Sequence, residues 1–189
     1  MNSVQILMNE HRVIERALSA LTGYARTVAR GSDLPRHDLA VLVGFLQDYA
    51  DTQHHGKEED ILFRAMADHG MPTDGGPLAV MLAEHTEGRR LTRALAELAA
   101  GDAAWDPEQR RRLLLTGTGY ARLLGGHIQK EDRVLYPMAT QMLPEDAWQQ
   151  IESGFSAFQA APQRAEQTAR LERIAEELAI RYAADDELA

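Results

Sequence analysis

The sequence predicts an all-α fold, an antiparallel up-and-down four-helix bundle with additional C-terminal helices. Three observations carry this expectation. Apolar residues recur at steps of three and four over long stretches, which marks one face of a helix. Helix-breaking residues are gathered at a few points and leave long segments between them. No stretch alternates apolar and polar with period two, and β-branched residues do not cluster, so nothing reads as a strand.

Ser3 is a candidate N-cap for a first helix, along which Val4, Leu7, Met8, His11, Ile14, Glu15 and Leu18 share a face; Gly31-Ser32-Asp33 with Pro35 ends it. A second helix is expected from about Arg36 to Asp68, stopped by Gly70-Met71-Pro72-Thr73-Asp74-Gly75-Gly76-Pro77. A third runs from Leu78 to about Ala100, where Gly101-Asp102 stops it. Pro107 suits the first turn of a fourth, which reaches about Met142. Gly125-Gly126 inside it predicts close packing or a local deformation just before His127. Pro144-Glu145-Asp146 opens a shorter helix through about Phe158, and a last helix spans about Gln163 to Tyr182, with Leu171, Ile174, Ala175 and Leu178 on one stripe. The expected division is a bundle over residues 1–145 and a helical extension over 146–189, which either covers the bundle or forms a homodimer interface.

Composition narrows the function classes. The 189 residues suffice for one sizeable core, and 44% of them are hydrophobic. Cysteine is absent, which removes disulfides, thiolate catalysis and cysteine-ligated metal sites. No apolar run reaches the roughly 18 to 20 residues that span a membrane, and the N-terminus lacks a secretory pattern. A cytoplasmic protein with no membrane partner is expected. A net charge of −9 argues against nucleic acid as a partner. Arg110-Arg111-Arg112 reads as a solvated helix start.

One unit occurs twice. His54-His55-Gly56-Lys57-Glu58-Glu59-Asp60-Ile61-Leu62-Phe63 and His127-Ile128-Gln129-Lys130-Glu131-Asp132-Arg133-Val134-Leu135-Tyr136 share the pattern His-x-x-Lys-Glu-acid-x-aliphatic-Leu-aromatic. Upstream of each lies a Glu-His pair, Glu10-His11 and Glu84-His85, whose histidines precede His54 and His127 by 43 and 42 residues.

Residues four apart on a helix lie one above the other, so His54 and Glu58 point the same way, as do His127 and Glu131. His54 falls in a stripe with Leu46, Ala50, Ile61 and Leu62, flanked by Asp51 and Lys57; His127 falls in one with Tyr120, Leu124, Leu135 and Met138. His11 lies among Leu7, Met8 and Ile14, and His85 among Leu78, Met81 and Leu82. Four imidazoles and two carboxylates in one apolar interior would cost on the order of several kcal/mol per unpaired carboxylate. A pair of cations removes that cost by taking the charge and the lone pairs. The candidate metal ligands are therefore His11, His54, Glu58, His85, His127 and Glu131.

The alternative register, His55 with Glu59, has the same spacing, but its stripe is more polar upstream (Gly44, Gln47, Asp48, Asp51, Thr52). His55 and Glu59 are expected to support the ligands from outside or to face solvent. His37 and His69, beside breaks, are expected to be exposed. Nitrogen ligands with two carboxylates able to bridge suit a dinuclear iron centre with an oxo or hydroxo bridge, with manganese or zinc as alternatives.

These residues resemble the hemerythrin family in its HHE cation-binding branch. That family carries a histidine on the first helix, His-x-x-x-Glu on the second, a histidine on the third and His-x-x-x-Glu on the fourth. His11, His54–Glu58, His85 and His127–Glu131 match in order and approximate spacing, over roughly residues 5 to 145, and the tails Leu62-Phe63 and Leu135-Tyr136-Pro137 also fit. The resemblance implies a four-helix bundle with a non-haem di-iron site that meets dioxygen, nitric oxide or peroxide. The oxygen carriers of this family have two histidines one turn apart on the third helix. Here Met81 and Arg89 flank His85 at those positions. The carriers also use an aspartate five residues after the fourth-helix histidine, the spacing of Asp132, which leaves Asp132 as the alternative to Glu131. These departures point to a more symmetric, more open centre rather than reversible oxygen transport.

Three functions compete at the sequence level. The chain is a binding protein that senses, sequesters or stores O2, NO or peroxide, or gives stress protection; or an enzyme with catalase-like, peroxidase-like or ferroxidase activity; or an interaction module that the metal merely stabilises. For an enzyme, Tyr120 and His55 are the candidate proton carriers.

Overall fold

The computed structural model describes residues 3–101, 103–160 and 162–183, and these residues form six helices and no strand. They are α1 (Ser3–Ala29), α2 (residues 36–68), α3 (Gly76–Ala99), α4 (residues 107–142), α5 (Glu145–Gln159) and α6 (Pro162–Arg181). The expected boundaries hold to within two residues. Asp102, part of the expected stop after α3, lies outside the described residues, as do the two ends of the chain. No helix among the described residues is long and apolar enough to cross a membrane.

The punctuation works through the backbone. Gly31 and Gly70 adopt φ of 108° and 99° just past α1 and α2, a left-handed conformation that side chains other than glycine's resist. Asp106 and Gln109 form a capping box at the start of α4, with Pro107 in the first turn. Ser3 does not cap α1 as expected. It is the first described helical residue, and its buried hydroxyl has no hydrogen-bond partner.

Two helices carry π-type segments in which the hydrogen bonding shifts from i→i+4 to i→i+5. In α2 these are Leu46–His55 and Glu58–Phe63; in α4 the segment is Glu131–Leu135. The deformation of α4 therefore follows His127 instead of preceding it. Gly125 and Gly126 lie in regular helix, and a Cβ at either would meet nothing within 4 Å, so close packing does not explain them either.

Two apolar clusters make the core. One gathers Ile14, Leu21, Leu46, Ala50, Leu95 and Leu124 with their neighbours; the other gathers Leu7, Leu62, Phe63, Met81, Leu135 and Tyr136. The buried histidines and glutamates fall between the two on every one of the first four helices. Along the chain, α1 passes from Leu7 through His11 to Ile14, and α2 from Ala50 through His54 and Glu58 to Leu62. α3 then passes from Met81 through His85 to Leu95, and α4 from Leu124 through His127 and Glu131 to Leu135. Each helix therefore crosses the polar layer in the sense opposite to the one before it.

The last two helices pack on the outside of this arrangement. α5 adds Ile151 and Phe155 to the second cluster; α6 adds Leu171, Ala175 and Leu178 to the first and lies against α1 and α2. Within the run of arginines, Arg111 and Arg112 pair with Glu108 and Glu97 on the surface. Arg110 instead donates to the carbonyls of Val28, Ser32 and Trp105, tying the end of α1 to the start of α4.

Candidate metal centre

The polar layer holds two groups of ligand atoms, each drawn together within 4.8 Å: His11, His54, Glu58 and Glu131 in one, and His55, Glu58, His85 and His127 in the other. All seven residues are buried. The structure thus brings together every one of the six residues singled out from sequence, and it adds His55. The expectation that His55 supports from outside or faces solvent is corrected. It is 4% exposed, and its unpartnered Nε2 is buried. The reason is local: His54 and His55 stand four and three residues before Glu58, and both positions neighbour it on a helix surface. Glu59 keeps the outer place expected of it, and His37 and His69 are exposed.

Both inner glutamates reach across the two groups. Glu131 lies 3.2 Å from His11 Nε2 through one oxygen and 3.0 Å from His127 Nε2 through the other. Glu58 Oε2 lies 3.5 Å from His54 Nε2 and 3.7 Å from His85 Nε2. Asp132, the sequence-level alternative to Glu131, points outward to His11 Nδ1 and Arg12.

Five outer carboxylates fix the imidazoles. Nδ1 of His11 meets Asp132 at 2.7 Å, that of His54 meets Glu10 at 3.0 Å, and that of His55 meets Asp51 at 3.4 Å. His85 meets Glu59 at 2.6 Å and His127 meets Glu84 at 2.9 Å. A carboxylate accepts only, so each Nδ1 donates and carries the proton, which leaves Nε2 with a bare lone pair in the neutral ring. Cations hold this outer ring in turn: Lys57 on Glu10, Lys130 on Glu84, Arg12 on Asp132, and Arg89 on both Asp51 and Glu59.

The inner atoms then face one another without a donor between them. His11 Nε2 and His54 Nε2 are 3.0 Å apart, and His85 Nε2 and His127 Nε2 are 2.9 Å apart. Glu58 Oε2, both oxygens of Glu131 and His55 Nε2 are buried with no hydrogen-bond partner. Converging lone pairs repel unless a proton or a metal ion lies among them, and separations of about 3 Å are those of neighbouring ligands around one ion with bonds of about 2.1 Å. The donor set therefore fits cations. Without them, protons carry the balance. Burial and the charge of Glu131 push the Glu58 carboxyl well above its ordinary value. Burial opposes the ionised form of Glu131 too, but His127 and His11 hold it well below. Burial drives His54 well down and His55 down to about 4.

Two further residues were not singled out as functional from sequence. Tyr136 donates to Glu58 Oε1 at 2.6 Å and its hydroxyl lies 3.3 Å from His11 Nε2. It was visible only as the aromatic that ends the second repeat. Lys57, read as a flank, is 2% exposed because α5 covers it. Tyr120, a candidate proton carrier in the enzyme reading, sits in the apolar cluster, where it packs by Gly88.

A family model described as the hemerythrin HHE cation binding domain matches residues 2–139. Uncharacterized proteins of Mycobacterium tuberculosis and Mycobacterium bovis are each 27% identical over 131 residues, covering 69% of this chain and 51% of theirs. The chain spans about half the length of the curated relatives it matches. No solved structure matches it at a significant level.

Proposed function

Since the chain belongs to the hemerythrin HHE cation-binding family, we propose that it is a non-haem di-iron protein that binds O2, NO or peroxide, and that residues 1–145 are an antiparallel four-helix bundle around the iron pair. The alternating passage of α1 to α4 through the polar layer supports the bundle. The single observation that carries the metal reading is the convergence of bare imidazole and carboxylate lone pairs across 2.9 and 3.0 Å.

In this reading His11 and His54 would hold one ion and His55, His85 and His127 the other, with Glu58 in reach of both groups and Glu131 of His11 and His127. A bound iron pair supplies redox-active positions open to a small ligand. The residues do the rest. The Nδ1 carboxylates keep each ring oriented and its Nε2 deprotonated. The two apolar clusters exclude water from above and below the layer. The first group offers two imidazoles against three in the second, so the first has the more open position, and Tyr136 places its hydroxyl on that side. Manganese or zinc would suit the same donors less selectively.

A specific observation supports a second reading, turnover of peroxide: Tyr136 is a proton-bearing group beside the more open position. One experiment separates the two. Protein from iron-replete cells is assayed for metal content, reduced, and mixed with O2, NO and H2O2 in a stopped-flow spectrometer. Two irons per chain and a persistent adduct are expected; fast peroxide loss with no lasting adduct selects the enzyme. A chain that takes up less than one metal ion after reconstitution sinks both.

A further inference from the structure

A cavity of about 300 Å³ opens beside the outer ring of the metal centre, between α1, α2, α5 and α6. Its polar groups are unevenly spent. Glu10, Gln53 and one oxygen of Glu172 are committed. Glu10 takes Lys57 on one oxygen and His54 Nδ1 on the other. Gln53 Oε1 accepts from Thr168 at 2.8 Å, and Glu172 Oε1 accepts from Tyr49 at 3.2 Å. The donors are not. Arg164 has five N–H groups, and none meets an acceptor among the described residues; its Nη1 is buried. Lys57, almost wholly buried, has three ammonium protons and only Glu10 as a hydrogen-bond partner.

Charge runs the same way. Arg164 Cζ lies 4.0 Å from the centre of the Phe158 ring, and Lys57 Nζ lies 5.9 Å from it. Two cations are therefore gathered on one aromatic ring. Glu10 neutralises Lys57, whereas Arg164 has no ion-pair partner among the described residues. Glu172 is exposed, so solvent and salt screen its charge. A buried guanidinium edge without an acceptor is costly, and the fork of N–H groups fits a carboxylate in a bidentate pair. Phe158, Ala165 and Ala169 give the same cavity apolar walls, which suit a carbon body more than a fully hydrated inorganic anion.

We propose that this cavity is a binding site for a small organic carboxylate, held by Arg164 and Lys57 against the Phe158 ring. It is separate from the metal positions, since Glu10 and His54 stand between them.

The test uses the full metal-loaded chain in titration calorimetry with acetate and benzoate, with inorganic phosphate and chloride at matched ionic strength as comparators. Saturable binding of one carboxylate per chain is expected, with phosphate and chloride weaker. Arg164→Gln should raise Kd about tenfold or more, the loss of one charge-assisted contact. Arg90→Gln, which removes a surface arginine paired with Glu87, should leave Kd unchanged. The circular dichroism and metal content of Arg164→Gln should match the parent, so that a folding defect is not mistaken for lost binding. Absence of saturable binding overturns the proposal, and so does phosphate binding more tightly than either carboxylate. Carboxylate binding that survives Arg164→Gln also overturns it, because the ligand then sits elsewhere on the chain. Each of these results leaves the iron reading standing, which depends on metal content instead.

Discussion

His55 is where regular helical geometry and the observed centre part ways. On a helix of 3.6 residues per turn, neighbours point about 100° apart, so choosing His54 for the interior seemed to exclude His55. Glu58 is the residue that reconciles them, because it neighbours both from below. In the di-iron reading, His55 on the second helix would take the place of the histidine absent from the third at Met81 or Arg89. His55→Ala should reduce metal content from two ions per chain toward one, by elemental analysis, while Glu58→Ala or Glu131→Ala should remove both. Unchanged metal content in His55→Ala would mean that His55 is no ligand. Glu59 acts differently. It accepts from His85 Nδ1 at 2.6 Å and from Arg89 at 2.7 Å. Glu59→Gln should weaken metal affinity about 10- to 100-fold, as is typical for such supporting carboxylates, yet leave two ions bound at saturation; a competition titration against a chelator measures this. Tyr136→Phe removes a buried donor from the Glu58 carboxyl, and should cost the metal-free protein about 1 to 3 kcal/mol in urea unfolding. No change would mean that Glu58 Oε1 is satisfied by another donor.

At the scale of elements, helix ends were legible because Gly31, Gly70, Pro107 and Pro144 act through local backbone rules that need no tertiary partner. The π segments were not legible, since they trade local hydrogen-bond geometry for ligand placement that only the assembled interior rewards. Nor could the sequence choose whether the tail covers the bundle or pairs with another copy. Within the chain α5 and α6 pack against the two apolar clusters of the first four helices. α6 is fixed to α2 at its far end, where Arg181 donates to Asp38 at 2.8 Å and the Tyr182 hydroxyl donates to the same carboxylate. Burial works against the Asp38 charge, but these two donors outweigh it and hold its pKa below the ordinary value. A depressed folded pKa adds stability above the unfolded value of 3.8, and that stability fades as pH falls through the lower folded value. Asp38→Asn should therefore destabilise the chain at pH 7. Its deficit relative to the parent should shrink only below about pH 4, near the unperturbed value for aspartate. A deficit constant down to the acid transition would show that the Asp38 charge is not what anchors α6.

Taken whole, the molecule is a doubled motif folded into an unequal pair. The repeat explains most of the centre. The Glu of each Glu-His unit binds the histidine of the next helix, the Lys of each His-x-x-Lys binds that same Glu, and the acid after each inner Glu binds the other histidine. Symmetry then breaks at three places. His55 has its counterpart in Ile128, Tyr136 in Phe63, and the lysine covered by α5 at one end, Lys57, is matched by Lys130 with its side chain 43% exposed. In the di-iron reading, two ions held in this frame would differ in ligand count, in hydrogen bonding and in solvent access. Mössbauer spectra of the di-ferric protein should therefore resolve two iron environments of equal area, not one. Metal should also bind in two separable steps, each adding about 2.7 kcal/mol of stability when the free ion exceeds its Kd a hundredfold. Tyr136→Phe should shift one iron signal more than the other, because that hydroxyl lies 3.3 Å from His11 Nε2 in addition to its bond to the shared Glu58. A single iron environment, unmoved by that substitution, would mean that the bridging carboxylates average the two positions and that the duplicated sequence, not the side chains that break it, governs the centre.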